Sequence, residues 1–290
     1  MRNPIVTTRA NLVSRLASLM SYLFDSGNWE WLWTGNNFRF LIEGFLVNLE
    51  IALIGMFFSM IFGLFLALMR ISKRRFVSVP AGIWVDVWRN LPLILIILYL
   101  ALAVPTSWRE AYSDLIPGWF PEALQDELVL GALLGLVLYN SAVLCEIMRS
   151  GIQSLDRGQQ EAAASLGLTY TQQMRLVILP QGLRRMVPAT VSQLITLNKD
   201  TTLVSIIAIQ EVIGRAGNIT SASGFFGGVP APVLQVYLVV GVLFIFVNLA
   251  LSRLSRRLEI RERKRTGTTL ERVKGIEDQV AAETDVTASR

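Results

Sequence analysis

The 290-residue sequence contains no histidine and a single cysteine, Cys145. Without histidine the chain lacks the commonest metal ligand and the usual general base at neutral pH. One cysteine cannot build an internal disulfide framework. Charged residues make up only 17% of the chain, whereas soluble domains average about 25%. These shortages argue against a soluble metalloenzyme or a disulfide-stabilised secreted domain.

Known catalytic signatures are also missing. The sequence contains no Gly-x-x-x-x-Gly-Lys-Ser/Thr phosphate loop, so ATP hydrolysis by P-loop chemistry is not expected. It shows no recognisable pair of nucleophile and base. We therefore predict a chain that is not an enzyme and has no catalytic residues, metal site or cofactor of its own. The net charge of +5 comes from Lys and Arg at the ends of apolar runs, a pattern typical of membrane topology rather than nucleic-acid binding.

Hydrophobic residues, by contrast, make up 52% of the chain and are concentrated in long runs. A membrane-spanning helix needs about 20 mostly apolar residues. Four runs satisfy this requirement, at about residues 41–69, 83–104, 128–148 and 231–251. A fifth run, about 186–208, is interrupted by the polar sequence Asn198-Lys199-Asp200-Thr201-Thr202.

The distribution of basic residues predicts the orientation of these runs, because Lys and Arg favour cytoplasmic loops. Basic residues follow the first run, flank the segment 149–185 and follow the last run, whereas the loop 105–127 is mainly acidic. Two cytoplasmic segments must be separated by an even number of crossings, so the fifth run should also cross. The sequence therefore predicts an all-α integral membrane protein with five transmembrane helices, the N-terminus outside and the C-terminus inside.

The two ends are predicted to lie outside the membrane domain, which spans residues 39–258. Residues 1–38 read as an extension whose apolar face over Asn11 to Phe24 predicts an interfacial helix. A signal peptide is the alternative, although no small-residue cleavage site follows cleanly. Residues 259–290 are predicted to be a polar, disordered cytoplasmic tail.

A helical hairpin is predicted at residues 156–181, which include the sequence EAAASLGLT. Asp156 and Thr169 can each cap the start of a helix, and each is followed three residues later by Gln. Gly167 suits a left-handed helix end, and Pro180 is predicted to close the second helix. Such a small-faced helix can insert into a groove on a partner. An ordinary amphipathic helix pair is the alternative interpretation.

This hairpin resembles the EAA loop of ABC-transporter permeases, the cytoplasmic element that docks into a separate ATPase subunit. Arg89-Asn90-Leu91-Pro92-Leu93 resembles the Arg-x-x-Pro-Leu signature of polar amino-acid permeases. Lys199-Asp200-Thr201-Thr202-Leu203 resembles their Lys-Asp-Thr-Ser-Leu element. The likeness covers roughly residues 38–260, and the run from Tyr139 to Ser205 is most similar to actinobacterial glutamate permease subunits.

The resemblance implies the type I ABC importer permease fold in a bacterial cell membrane. It implies import of a polar amino acid, with glutamate preferred and glutamine, histidine, arginine or cystine as alternatives. The implied partners are a homodimeric ABC ATPase that binds the ATP, a second permease subunit of the same or a paralogous kind, and an extracytoplasmic amino-acid-binding protein. Membrane lipid surrounds the spans, and no nucleic acid is involved.

The motif positions of the hairpin are the residues that the resemblance assigns to ATPase coupling: Glu161, Ala162, Ala163, Gly167, Leu179 and Pro180. Candidates for the substrate pathway are polar residues within the spans, because such residues are costly in a bilayer and usually face an interior or a wet cavity. They are Glu50, Arg89, Asn198, Lys199, Asp200 and Thr201. A broken helix exposes backbone groups that can bind a zwitterion, and Asp200 is expected to balance a buried Lys199.

Other polar residues have a structural interpretation. Hydrogen bonding between helices is favoured for Asp86, Asn140 and Asn248. Glu146 and Arg149 lie three residues apart, which predicts a local ion pair. Among functional alternatives, an ion-coupled secondary transporter working through Glu50 or Lys199 would predict inverted repeats, which the sequence does not show. A membrane scaffold without transport activity would not need a polar break within a span.

Overall fold

The computed structural model describes residues 14–15, 17–18, 20–221 and 231–265, and these ranges contain helices and loops but no β-strand. Of the predicted interfacial helix, residues 14–15, 17–18 and 20–24 are described and are helical. The tail beyond Arg265 lies outside the described residues. The principal helices are α1 (Asn37–Ile71), α2 (Arg75–Asn90), α3 (Leu93–Ala103), α4 (Thr106–Leu115), α5 (Val129–Gln153), α6 (Arg157–Ser165), α7 (Tyr170–Gln172), α8 (Leu179–Asp200), α9 (Val212–Thr220) and α10 (Val233–Arg265).

Three of these helices are long and apolar enough to cross a membrane, namely α1, α5 and α10 over Val233–Glu262. They correspond to the first, third and last predicted runs. Many large apolar side chains on their outer faces are exposed, as lipid-facing helices require. The last helix continues through residues 259–265, so the first part of the predicted disordered tail is helical. The boundary of the membrane domain at residue 258 stays a prediction.

The second predicted run, 83–104, is not one straight helix. α2 and α3 meet at an angle of 102°, and they can form either one broken span or a re-entrant loop. The break lies at Leu91, whose backbone is extended, directly before Pro92. Proline disfavours a helical conformation of the preceding residue and lacks the N–H that would continue the helix. Counting α2 and α3 as one span raises the number of apolar spans from three to four.

The prediction that Pro180 closes the second helix of the hairpin was wrong. A π-helix, Gln173–Ile178, joins α7 directly to α8, so the chain stays helical from Tyr170 to Asp200. Pro180 lies in the first turn of α8. The π-helix bonds the Leu179 N–H to the Met174 carbonyl, so the missing N–H of Pro180 falls where the hydrogen-bonding pattern changes from π to α. After Asp200 a 3₁₀ helix, Thr201–Ile207, marks the predicted break.

The main core is formed where α1, α3 and α5 pack together, and it includes Ile51, Ile97, Leu136 and Leu144. Gly131 allows the closest approach, because a Cβ atom there would lie 2.4 Å from the Cα of Ala101. A second core joins the N-terminal part of α1 to α9 and α10. It buries Trp31 of a short helix that precedes α1, Glu30–Trp33, at its edge.

The loop between α3 and α5 carries α4 and a short helix, Glu122–Gln125. The Tyr112 hydroxyl of α4 donates a hydrogen bond to the carbonyl of Leu124 at 3.0 Å. Burial, followed by the charge of Asp126, raises the pKa of Tyr112 to about 12, so this donor keeps its proton at neutral pH. This hydrogen bond joins α4 to the short helix Glu122–Gln125 within the loop.

Candidate coupling hairpin and polar break

The first helix of the hairpin, α6, begins with the predicted cap. Asp156 has extended backbone angles, and its Oδ1 accepts a hydrogen bond from the Gly158 N–H at 2.8 Å. Gln159 does not complete a capping box; its Oε1 instead accepts a hydrogen bond from Gln181 Nε2 at 3.2 Å. This contact ties the start of α6 to the start of α8.

The turn after α6 is a Schellman motif centred on Gly167. The Leu168 N–H bonds to the Ala163 carbonyl at 3.3 Å, and the Gly167 N–H bonds to the Ala164 carbonyl at 2.9 Å. Gly167 has φ +74°, as predicted, and a Cβ there would meet nothing within 4 Å. Its requirement for glycine is therefore conformational rather than steric.

The second helix starts at Thr169. Its N–H donates to Gln172 Oε1 at 2.9 Å, as a capping box requires. Gln173 Nε2 donates back to the Leu168 carbonyl at 2.7 Å and fixes the turn from the other side. Hydrogen bonds therefore hold the backbone at both ends of the turn that joins the two helices.

The predicted coupling residues fall into two groups by exposure. Glu161, Ala162 and Pro180 are exposed, as is Gly167 at the tip. Ala163 is only 3% exposed and Leu179 is half-buried, so these two side chains pack within the hairpin instead.

Sequence reasoning missed Leu166, a large apolar side chain that is 80% exposed at the hairpin tip. The available signal was its position: a leucine at the end of a capped helix, directly before Gly167, cannot point back into α6. Burial of an exposed leucine against a partner is favourable, so Leu166 is suited to a docking contact.

The hairpin is attached rigidly to two long helices. Arg185 of α8 donates to the Ser154 carbonyl at 2.6 Å. Gly151 of α5 and Gly182 of α8 allow close packing, because a Cβ on Gly151 would lie 2.9 Å from the Gly182 carbonyl oxygen. Lys73, in the loop after α1, lies 5.2 Å from the centre of the Tyr170 ring. A force on the hairpin is therefore transmitted to α5 and α8.

Polar contacts between the long helices confirm the structural roles predicted for Asn140 and Asn248. Gln193 Nε2 donates to Asn140 Oδ1 at 2.8 Å, and Asn198 Nδ2 donates to Asn248 Oδ1 at 3.2 Å. Ser192 of α8 and Ser255 of α10 lie 3.2 Å apart. The last two pairs show that α8 and α10 are antiparallel, so the C-terminal part of α10 lies beside the hairpin end of α8.

The predicted local ion pair forms, because Glu146 lies 2.7 Å from Arg149. Asp86, for which hydrogen bonding between helices was predicted, lies 3.8 Å from Arg70, a charge contact between α2 and α1.

The four predicted residues of the polar break differ in how far they are buried. Asn198 and Thr201 are buried, and Thr201 Oγ1 donates to the Asn198 carbonyl at 2.8 Å. Asp200 is half-buried, whereas Lys199 is exposed. The expectation of a buried Lys199 held by Asp200 was therefore wrong: one turn of helix carries Asn198 and Thr201 inward on the same face, which leaves Lys199 on the opposite face.

The remaining pathway candidates lie apart from this cluster. Arg89 is exposed at the bend between α2 and α3, and no hydrogen bond or ion pair of the described residues joins it to the polar break. Glu50 is half-buried on α1, and its Oε2 has no hydrogen-bond partner within the described part of the chain. No cluster of metal-ligating side chains occurs in the same ranges.

Glu211 is the polar residue at this site that sequence reasoning overlooked. It has no exposed surface, and it lies between the 3₁₀ helix and α9. Its Oε2 accepts from Asn48 Nδ2 at 2.9 Å, and its Oε1 accepts from the Gly214 N–H at 2.9 Å. An acid within the apolar sequence IIAIQEVIG, three residues before a glycine, was the available signal for a buried helix cap.

Comparison with protein families gives a match over residues 59–260 to the family described as "Binding-protein-dependent transport system inner membrane component". The probable glutamine ABC transporter permease GlnP of Bacillus subtilis is 38% identical over 77% of this chain and 94% of its own. The glutamate/aspartate import permease GltK of Escherichia coli is 34% identical over 64% of this chain and 80% of its own.

Solved structures agree with these matches. The crystal structure of an amino acid ABC transporter with histidines superposes with a TM-score of 0.61 at 27% identity, covering 77% of this chain and 94% of that one. The inward-facing MetNI methionine ABC transporter gives a TM-score of 0.55 at 18% identity over 76% of this chain and 97% of that one, a likeness of fold.

Proposed function

Since the chain belongs to the family of binding-protein-dependent transport system inner membrane components, we propose that its hairpin couples an ATPase to a pathway for glutamate. The chain is a multi-pass permease subunit of an amino-acid ABC importer, related to glutamine and to glutamate/aspartate permeases. The resemblance inferred from its motifs is therefore confirmed. The observation that carries the proposal is the rigid, exposed hairpin held against α5 and α8.

Coupling proceeds through the hairpin surface. Leu166 supplies an apolar anchor, and Glu161 supplies a negative charge that can pair with a basic residue of the ATPase. ATP binding and hydrolysis belong to that separate subunit. The family's name implies an extracytoplasmic binding protein that delivers the substrate. A second permease subunit, identical or paralogous, completes the pathway.

Five spans, with the hairpin inside the cell, remain the proposed topology. Three helices qualify alone, the bent pair of α2 and α3 supplies a fourth, and α8 supplies the fifth. Support for α8 comes from its antiparallel packing against α10 through Ser192 and Ser255 near the hairpin and through Asn198 and Asn248 farther away. These contacts place residues 192–198 of α8 alongside the spanning helix α10.

Glutamate is proposed because Lys199 presents an exposed positive charge at the polar break. A charge-assisted hydrogen bond to a carboxylate is stronger than a neutral one. Glutamine is the second candidate. Glu211 is a buried carboxylate near the same break, and Glu50 lies two residues after Asn48 on α1, so a second negative charge on the substrate meets repulsion there.

The test is uptake by the purified complex in vesicles, with the ATPase and binding protein that co-purify, and with labelled glutamate, glutamine, histidine, arginine and cystine. ATP-dependent uptake of glutamate in preference to the others supports the proposal. Preference for glutamine moves the assignment to the second candidate. Uptake driven by a proton or sodium gradient without ATP contradicts the importer itself. As a check on coupling, Glu161→Lys should weaken recovery of the ATPase.

A further inference from the structure

The segment after α8 is tied to α1 through a single amide. Asn48 lies in the middle of α1 and has no exposed surface. Its Nδ2 donates to Thr201 Oγ1 at 3.0 Å and to Glu211 Oε2 at 2.9 Å, and its Oδ1 accepts from the Val212 N–H at 3.1 Å. The amide therefore joins three points: α1, the start of the 3₁₀ helix and the start of α9.

Glu211 determines which way this amide faces. The Glu211 oxygen accepts from Asn48 Nδ2, which requires the NH₂ group of Asn48 on this side, and the Val212 N–H requires the Asn48 oxygen on the other. The second hydrogen of the same NH₂ group then points to Thr201, and the oxygen points to Val212. The other carboxylate oxygen is held by the Gly214 N–H at the start of α9. Every polar atom of the Asn48 and Glu211 side chains is thus used.

Thr201 connects this hydrogen-bond network to the polar break. Its hydroxyl accepts from Asn48 and donates to the Asn198 carbonyl, which fixes the last turn of α8. That turn carries Lys199 on its exposed face. The backbone at Ala208 has φ +64°, a conformation that an alanine adopts only when its surroundings impose it. The chain between Thr201 and Glu211 is therefore held at both ends against α1.

We propose that Glu211 is a positioning residue that acts through Asn48 and Thr201 to hold Lys199 and the end of α8 in place for substrate passage. This inference rests on the proposed function, since it concerns the polar break of the same pathway. Glu211 does not touch the substrate, because it is fully buried. Its effect is on how much substrate moves for each ATP hydrolysed.

A second contact between α1 and α9 supplies a matched control. Arg215 of α9 lies 3.2 Å from Glu43 Oε2 and donates to the Phe40 carbonyl at 3.0 Å. Glu43 is thus another acid that ties the same two helices together, but no hydrogen bond of the described residues links it to Thr201. Glu43→Gln weakens the packing of α9 on α1 and leaves the amide network intact.

The experiment compares Glu211→Gln, Thr201→Val and Glu43→Gln in the complete reconstituted complex. Substrate uptake and ATP hydrolysis are measured on the same vesicles. Leaving a buried hydrogen-bonding group without its partner changes an equilibrium by about tenfold or more. We expect uptake per ATP to fall by about that factor for Glu211→Gln. Thr201→Val should give a smaller decrease, and Glu43→Gln should match the unaltered protein.

The double variant Glu211→Gln with Thr201→Val tests the route of the effect. If Glu211 acts through Thr201, the double variant is no worse than Glu211→Gln alone, because the two changes remove one shared connection. Unchanged uptake per ATP in Glu211→Gln, or equal losses in Glu211→Gln and Glu43→Gln, overturns the inference. If Glu211→Gln does not accumulate in the membrane, uptake per ATP is compared between Thr201→Val and Glu43→Gln instead. Equal values in these two variants then overturn the inference. Failure of the unaltered complex to transport any amino acid would instead contradict the proposed function.

Discussion

Arg70 at the end of α1 lies 2.8 Å from Glu146 on α5, and Glu146 also contacts Arg149 at 2.7 Å. The two cations hold opposite oxygens of one carboxylate, which is only 17% exposed. The pair therefore fixes the hairpin end of α1 against α5. Arg70 also fills the space in front of Gly82 on α2, where a Cβ would lie 2.6 Å from its Nη1.

Glu146→Gln should therefore lower the stability of the membrane domain. Removing one partner leaves two neighbouring cations without their carboxylate, and we expect a loss of about 1–3 kcal/mol, since the site is partly exposed. The measurement is the thermal transition of the detergent-purified subunit. Asp86→Asn is the control: its contact to Arg70 is longer, at 3.8 Å, and the side chain is 60% exposed. An equally lowered transition temperature in both variants would show that the loss of stability follows from removing any negative charge rather than from this ion pair.

Gly167→Val should uncouple transport without preventing membrane insertion. A β-branched residue at φ +74° is strained, at a cost of about 1–2 kcal/mol, and the Schellman turn should open. Gly167→Asn is the matched control, because asparagine tolerates the left-handed conformation and the surrounding space is empty. ATP-dependent uptake should be lost in the valine variant and largely kept in the asparagine variant. Normal uptake by Gly167→Val would show that the turn need not stay closed.

Leu166→Ser should weaken association with the ATPase. Burial of a leucine side chain contributes about 1.5–3 kcal/mol, so the dissociation constant should rise by roughly tenfold or more. Leu115→Ser is the control, because Leu115 is equally exposed but lies at the end of α4, far from the hairpin in sequence. Binding of the purified ATPase to each variant in nanodiscs measures the difference. Equal affinities for both variants would remove Leu166 from the interface.

Much of this architecture could be predicted from local patterns. The Asp156 cap, the Gly167 turn and the Glu146–Arg149 pair depend on residues three or four positions apart, where spacing alone decides which groups meet. The three most apolar spans follow from composition in the same way. Local patterns failed where two local rules competed: Pro180 breaks helices in general, but it is tolerated in a first turn that follows a π-helix.

The contacts between distant segments could not be read from spacing. Asn48 and Glu211 are 163 positions apart, and nothing in either neighbourhood indicates the other. The pairing of Arg70 with Glu146 depends in the same way on how α1 packs against α5. The exposure of Lys199 follows from which face of α8 is occupied by Asn248 and Asn48, which is a property of the packed bundle.

The proposed topology can be tested with cysteines at two exposed positions. The native Cys145 is fully buried, so it should contribute little labelling. Ser165→Cys lies in the hairpin and should react only with a reagent that enters the cell. Gly118→Cys lies in the loop between α4 and α5, where a side chain would meet nothing within 4 Å, and should react from outside. Reaction of both from the same side would contradict an odd number of crossings between these loops.

Lys199→Gln should reduce transport of acidic amino acids more than transport of neutral ones. Lys199 is exposed on the face of α8 opposite to its buried contacts, and no described acid lies at ion-pair distance from it. Its charge is therefore available to a substrate carboxylate, and its loss should cost about 1.5–3 kcal/mol for a substrate bound through it. Competition between labelled glutamate and unlabelled glutamine in vesicles measures the ratio directly.

Asp200→Asn is the paired variant for this prediction. Because Lys199 is exposed rather than buried against Asp200, the amide should not leave an unpaired cation inside the protein, and the amount of subunit in the membrane should stay normal. Removal of this negative charge should favour transport of glutamate over glutamine, the opposite direction to Lys199→Gln. Equal losses for both substrates in Lys199→Gln, together with less protein in the membrane, would make Lys199 a structural residue. The proposed preference for glutamate would then need another source of positive charge along the pathway, and Arg89 at the bend between α2 and α3 is the residue to change next.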